Sequence, residues 1–108
     1  MVSRERAIEI VREFHEQLRD LYGDRLKAVF LFGSYARDEA GEDSDIDVAV
    51  VLVGPVKRRD ERKRVIGLVS DFCLRENCLL LPFFLSEDDL RQQPHAIHRS
   101  IAREGVLV

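Results

Sequence analysis

Residues 26–53 read LKAVFLFGSYARDEAGEDSDIDVAVVLV, and this stretch decides the fold. Leu26 to Phe32 is apolar and rich in β-formers, the pattern of a buried strand. It runs straight into Gly33-Ser34. The polar segment that follows starts as one or two helical turns and becomes a loop around Gly41. Asp45 to Val53 is a second strand, ended by Gly54-Pro55. About a dozen residues join the two strands, so loop length leaves their relative direction open.

On the N-terminal side, Ser3 can cap a helix. Ala7, Ile8, Val11, Phe14, Leu18 and Leu21 then recur at three- and four-residue steps and form one apolar stripe. Gly23 is its natural stop. On the C-terminal side a long helix is predicted from about Lys57 to Asn77, with the stripe Val65, Ile66, Leu68, Val69, Phe72 and Cys73. Cys78 to Leu85 is a third strand, and Pro82 restricts it to an edge or a bulge. Ser86 to Asp89 has the Ser-x-x-acid look of a helix start. Pro94 breaks that helix, His95 to Arg103 continues it, Gly105 closes it, and Val106 to Val108 adds a short strand. Alternation of this kind predicts an α/β fold, a small β-sheet with helices packed on it.

The whole chain has 108 residues, room for one domain, 1–108, with a single core. Its 17 Lys+Arg against 20 Asp+Glu give a net charge of −3, which excludes a global attraction to nucleic acid or to an anionic membrane. No apolar run has the length of a membrane span. The first residues are charged and helix-patterned, without a signal-peptide apolar stretch, so a cytoplasmic location is expected. Cys73 and Cys78 are not a CxxC pair and have no zinc-ligand spacing; reduced, part-buried thiols are expected.

The chemistry lies in Gly33-Ser34 and in Asp45-x-Asp47, ten residues further on. Side chains alternate across a strand, so Asp45 and Asp47 share a face about 6–7 Å apart, while Ile46, Val48, Val50 and Leu52 point the other way into a core. Two adjacent carboxylates repel, and a divalent cation is the usual neutraliser. Hard oxygen ligands suit Mg²⁺, which takes one or two carboxylates plus substrate phosphates. A strand that ends in Gly-Ser before a helical turn offers free N–H groups to an anion, with phosphate the common guest. If the two strands are neighbours, both halves meet at one sheet end and form a site for a metal-bound nucleoside triphosphate. Separately, each half has a plain reading, a turn and an acidic loop that includes Glu42 and Asp43. No P-loop and no dinucleotide fingerprint is present.

The run GSYARDEAGEDSDIDVAVV resembles the nucleotidyltransferase domain of the DNA polymerase β-like superfamily, with its Gly-Ser, ten residues, Asp-x-Asp signature. Size and element order are similar to the stand-alone minimal nucleotidyltransferase (MNT) group. The resemblance implies a mixed sheet with flanking helices. It assigns Gly33 and Ser34 to the triphosphate, and Asp45 and Asp47 to catalysis through one or two Mg²⁺ ions. It implies transfer of a nucleotidyl group, AMP above all, from ATP or another NTP to a hydroxyl acceptor, on a partner protein in an antitoxin-like pair with an all-helical HEPN protein. The alternative is a non-catalytic antitoxin that binds such a helical toxin through a degenerate nucleotide site. Homo-oligomerisation stays open.

Two departures from the family pattern stand out. Its usual Arg-Gly is Arg37-Asp38 here. Its third carboxylate, expected on the strand after the long helix, is missing from CLLLPFFL; Glu76 precedes that strand, and Glu87, Asp88 and Asp89 follow it as helix-start residues. Arg37 is a further nucleotide-binding candidate that either touches phosphate or pairs with Asp45 or Glu42. The basic run Lys57–Arg64 is a solvated helix start, or else it reaches the triphosphate or RNA. His15, His95 and His98 read as surface or cap histidines.

Overall fold

The computed structural model describes residues 2–41 and 44–108. The order is α1 (Arg4–Tyr22), a 3-10 turn (Gly23–Arg25), β1 (Leu26–Phe32), a second 3-10 turn (Gly33–Tyr35), β2 (Ile46–Leu52), α2 (Arg58–Glu76), β3 (Leu80–Ser86), α3 (Glu87–Gln92), α4 (Ala96–Glu104) and β4 (Val106–Leu107). The four strands form one sheet in the order β3-β2-β1-β4. β1 is antiparallel to β2 and β4, whereas β2 and β3 run parallel, so the sheet is mixed. β3 lies at the edge, the position where a strand tolerates the missing N–H of Pro82.

Local chemistry sets the boundaries. Ser3 accepts the Arg6 N–H at 3.0 Å and starts α1, and Ser86 does the same for Asp89 at the start of α3. Pro94 falls between α3 and α4, and Gly105 caps α4.

β2 is buried on both faces because it has a strand on either side and helices above and below. Ile46, Val48, Val50 and Leu52 pack with Val29, Leu31, Leu80 and Phe84 under α1 and α2. Ala49 and Val51 pack with Leu85 and Ile101, joined by Phe30, Phe83 and Leu90, under α3 and α4. Asp47 belongs to this second face by alternation.

Two stripes differ from the sequence expectation. In α1 the buried set is Ala7, Ile10, Val11, Phe14, Leu18 and Tyr22, while Leu21 is 49% exposed. The helix is rotated so that Tyr22 reaches the polar group at Glu61. In α2, Ile66 is 65% exposed, because a helix over a sheet edge has only half of its width covered. The basic run also holds one buried charge. Glu61 is 3% exposed and accepts the Tyr22 hydroxyl at 2.9 Å, with the Arg25 guanidinium at 2.8 Å. A buried carboxylate needs such partners.

Candidate active site

Antiparallel pairing brings the two halves of the signature together. The β1–β2 ladder ends with Phe32 opposite Asp47. Gly33 is therefore the next residue past the ladder, and Asp45 precedes β2 on the same side. Gly33 has φ +73°, and a Cβ built there would collide with Asp47 Oδ2 and lie 3.0 Å from its Cγ. Only glycine gives the Asp47 carboxylate room against the turn. The turn curls on itself: the Gly33 carbonyl accepts from Ala36 at 3.1 Å and Arg37 at 3.2 Å, and the Ser34 carbonyl accepts from Glu39 at 2.9 Å. A helical turn has no internal partner for its first N–H groups, so the donors at its start stay available to an anion.

The turn is anchored from behind. Tyr35 is buried, its hydroxyl donates to the Val2 carbonyl at 2.7 Å, and Arg4 Nε donates to the Tyr35 carbonyl at 3.0 Å. Sequence reasoning misses this support. Tyr35 stands in a polar segment with no periodicity, and nothing in the sequence links it to residues 31 and 33 positions away.

Asp47 is half-buried, and no described residue hydrogen-bonds or ion-pairs with its carboxylate or with that of Asp45. Burial raises the Asp47 pKa first, the neighbouring Asp45 raises it further, and Arg37 lowers it. The pair thus concentrates negative charge that no described residue neutralises by direct pairing, and a hard divalent cation fits it by charge and donor type. Among the described residues no group of three or more His, Cys, Asp or Glu side chains converges as a metal site. Asp45 and Asp47 supply only two ligands, which matches an ion completed by water and phosphate oxygens.

Arg37 pairs with neither Asp45 nor any part of β2. It donates to Glu39 at 3.0 Å and to Glu104 at 3.1 Å, which ties the turn to the end of α4. The alternative pairing with Glu42 lies outside the described residues. Asp38, standing where the family usually has Gly, has φ +57°. This is left-handed backbone, which Gly adopts freely and Asp tolerates at a cost. The substitution therefore keeps the loop's path.

β3 brings no carboxylate to the Asp47 face. Its residues on that face are Leu81, in register with Asp47, then Phe83 and Leu85. Glu87, Asp88 and Asp89 form the first turn of α3, where Glu87 meets Lys27 at 3.2 Å and Asp88 pairs with Arg91. Glu76 is held by Arg6 at 2.6 Å, which depresses its pKa. Among the described residues no side chain of the basic run ion-pairs with Asp45 or Asp47: α2 starts beyond the Leu52 end of β2, about 17 Å of strand from Asp47. Arg58 instead lies 5.2 Å from the Phe83 ring centroid. His98 is buried and accepts the His95 N–H at 3.2 Å as a cap, and His15 Nδ1 is 2.9 Å from the Val108 carbonyl.

A Gly-Ser turn in register with an Asp-x-Asp strand start is the arrangement expected of the nucleotidyltransferase class. The family model described as Nucleotidyltransferase domain matches residues 11–103, and the chain belongs to that family. Two Methanocaldococcus jannaschii relatives carry the names "Putative protein adenylyltransferase MJ0141" and "Putative protein adenylyltransferase MJ0604". The first is 37% identical over 69% of this chain and 75% of its own length. The second is 32% identical over 88% and 90%. An aminoglycoside nucleotidyltransferase (4') of Staphylococcus aureus is 38% identical over 48% of this chain, but over only 21% of its own length. Among solved structures, a Sulfolobus solfataricus protein described as a "putative nucleotidyltransferase" superposes with TM-score 0.68 at 23% identity, covering 96% of this chain and 80% of the other. A chain from a toxin–antitoxin crystal structure with AMP-PNP gives 0.61 at 20% identity, covering 89% and 69%. These likenesses establish the polymerase β-like nucleotidyltransferase fold. No helix among the described residues is long and apolar enough to cross a membrane.

Proposed function

We propose that this chain is a Mg²⁺-dependent nucleotidyltransferase that transfers a nucleotidyl group, AMP first, from an NTP to a hydroxyl of a partner protein. The carrying observation is the contact between Gly33 and the half-buried Asp47 carboxylate, which pairs with no described residue. The choice of AMP and of a protein acceptor is supported by the names of the M. jannaschii relatives. An antitoxin-like role is supported by the likeness to a chain of a mutant toxin–antitoxin pair, MntA-HpeT, and the all-helical HEPN-type partner follows from the resemblance to the minimal nucleotidyltransferase group alone.

In this reading Gly33 and Ser34 present backbone N–H groups and the Ser34 hydroxyl to the triphosphate, and Asp45 and Asp47 hold the metal. When bound, Mg²⁺ neutralises the phosphate oxygens and lowers the pKa of the attacking hydroxyl. The acceptor oxygen forms its bond to the α-phosphorus as the bond to the bridging oxygen breaks, and pyrophosphate leaves. The hydroxyl proton passes to a base. The chain's own contribution is positioning and charge placement. Arg37 joins phosphate by exchanging its Glu39 and Glu104 partners.

A second reading, binding without turnover, is favoured by the apolar Leu81, Phe83 and Leu85 where a third carboxylate would stand. Incubation with labelled ATP, Mg²⁺ and the product of the adjacent gene separates the two. Label on that product with wild type, and none with Asp45→Asn or Asp47→Asn, supports transfer. Neutralisation of the partner that survives both substitutions supports the binder. A folded sample whose Tm does not respond to millimolar Mg²⁺·ATP defeats the nucleotide site and with it the transferase reading.

A further inference from the structure

Cys73 and Cys78 are five residues apart in sequence, and the turn that ends α2 brings their backbones together. Asn77 follows the helix in left-handed backbone, φ 50° and ψ 50°, and its N–H bonds the Cys73 carbonyl. The Cys78 N–H returns to the same carbonyl at 3.3 Å. A six-residue closure of this kind packs the side chain of the first residue against that of the last. Here both are cysteine, both are free thiols and both are half-buried. Each is felt by its surroundings: the Cys73 Sγ accepts the Leu80 N–H at 3.3 Å, and the Cys78 thiol is pushed up in pKa by burial first and by Cys73 second.

We propose that Cys73 and Cys78 are an oxidisable dithiol, closing an intramolecular disulfide across the end of α2 when a small disulfide of the glutathione type is present. In the first step one cysteine thiolate attacks a sulfur of the oxidant, and a small thiolate leaves. In the second, the other cysteine thiolate attacks the protein sulfur of the mixed disulfide, the Sγ–Sγ bond forms and a second small thiolate leaves. The two protons lost by the cysteines end on the two released thiols, and two electrons pass from the pair to the oxidant. The native turn favours the second step because it holds the resolving sulfur beside the mixed disulfide.

The pair occupies the signature's end of the sheet. The Leu79 carbonyl accepts the Ile46 N–H at 2.8 Å, and Ile46 stands between Asp45 and Asp47. The Cys78 sulfur is near enough to the buried Tyr35 of the Gly-Ser turn to raise its pKa, after burial. The modification is read without nucleotide, so its failure and the failure of the transferase reading are separate outcomes.

The test incubates folded full-length chain with oxidised and reduced glutathione at mildly alkaline pH, which offsets the raised Cys78 pKa, then alkylates and maps peptides by mass. The expected result is joint loss of both alkylatable thiols, a 73–78 link and no retained glutathione. The link forms roughly tenfold more readily than in urea-unfolded chain at the same redox ratio. Cys78→Ser and Cys73→Ser should each keep a glutathione adduct that wild type resolves. Independent adducts on both cysteines, a link formed as readily in urea, or thiols that stay unmodified in the folded chain would overturn the proposal.

Discussion

Replacing Gly33 by Ala tests the site at its tightest point. Two costs are separable. Alanine in left-handed backbone costs about 1–2 kcal/mol, whatever space surrounds it. The new methyl also collides with Asp47 Oδ2 and presses on Cγ at 3.0 Å, so Asp47 must leave its rotamer, for about 0.5–1.5 kcal/mol more. Gly54 supplies the control: its φ is +84°, and a Cβ there meets nothing within 4 Å. Gly54→Ala should therefore show only the backbone cost. A double-mutant cycle isolates the collision. In an Asp47→Ala background the colliding oxygen and Cγ are gone and only the Cβ of residue 47, 3.2 Å from the new methyl, stays tight, so Gly33→Ala should lose little more than the backbone cost of about 1–2 kcal/mol, leaving a coupling of up to about 1 kcal/mol. Urea denaturation of the four proteins measures it, and in a domain of this size each kcal/mol also moves Tm by roughly 4–8 °C. Gly33→Ala should in addition erase the Tm increase that Mg²⁺·ATP gives wild type, while Gly54→Ala keeps it. Zero coupling, or a Gly33→Ala protein that still responds to Mg²⁺·ATP, would refute the claim that Asp47 and the turn form one site.

Asp47→Asn should stabilise the unliganded protein while abolishing its Mg²⁺·ATP response. The folded Asp47 pKa lies above its unfolded value of 3.8, so its penalty is absent below that value, grows as pH rises through the folded pKa and is constant at neutral pH. The variant's advantage in Tm should accordingly shrink as pH falls toward 4 and be full near neutrality. Asp38→Gly should gain up to about 1 kcal/mol, a relief of about 1–2 kcal/mol in left-handed backbone at φ +57° less about 0.4–1 kcal/mol for glycine's unfolded-state freedom, a gain that urea denaturation detects. Glu61→Ala should cost about 1–3 kcal/mol by stranding the buried Tyr22 hydroxyl, since Arg25 keeps its bond to the Pro55 carbonyl, and Tyr22→Phe about 1–2 kcal/mol, measured the same way.

Order and type of the elements are legible because each is written in local chemistry: Ser3 and Ser86 as caps, Pro82 as an edge marker, Pro94 as a break, Gly105 as a stop. The pairing of Gly33-Ser34 with Asp45 and Asp47 is legible as a spacing, and its meaning comes from a resemblance to a known signature. What stays hidden depends on contacts between distant residues. A 3.6-residue period admits a small rotation, so it marks Leu21 as buried while Tyr22, recruited by Glu61 on another helix, takes that place. Glu61 itself is masked by the six positive charges around it. Arg37 points in sequence toward Asp45 or Glu42, because nothing there announces that Glu104, 67 residues away, ends its helix beside the turn.

Strand direction is what makes the site. Gly33 lies at the exit of β1 and Asp45 at the entrance of β2. Had the two strands run parallel, those points would sit at opposite ends of seven-residue strands, about 20 Å apart. Antiparallel pairing folds the exit onto the entrance, and the register fixes which atoms meet: Phe32 faces Asp47, so the first residue free of the ladder is the one whose missing Cβ leaves room for the carboxylate. Parallel pairing of β2 with β3 then places the entrance of β3 at the same end, with Leu81 opposite Asp47 on an edge strand. The cluster is therefore walled by the turn on one side and left open on the other by an apolar residue that is 42% exposed. An acceptor approaching over that open edge would meet Leu81 and then the acidic pair. Under the proposed transfer, β3 offers no acid on this face, so the base would be water held at the pair or a group that the acceptor itself carries in.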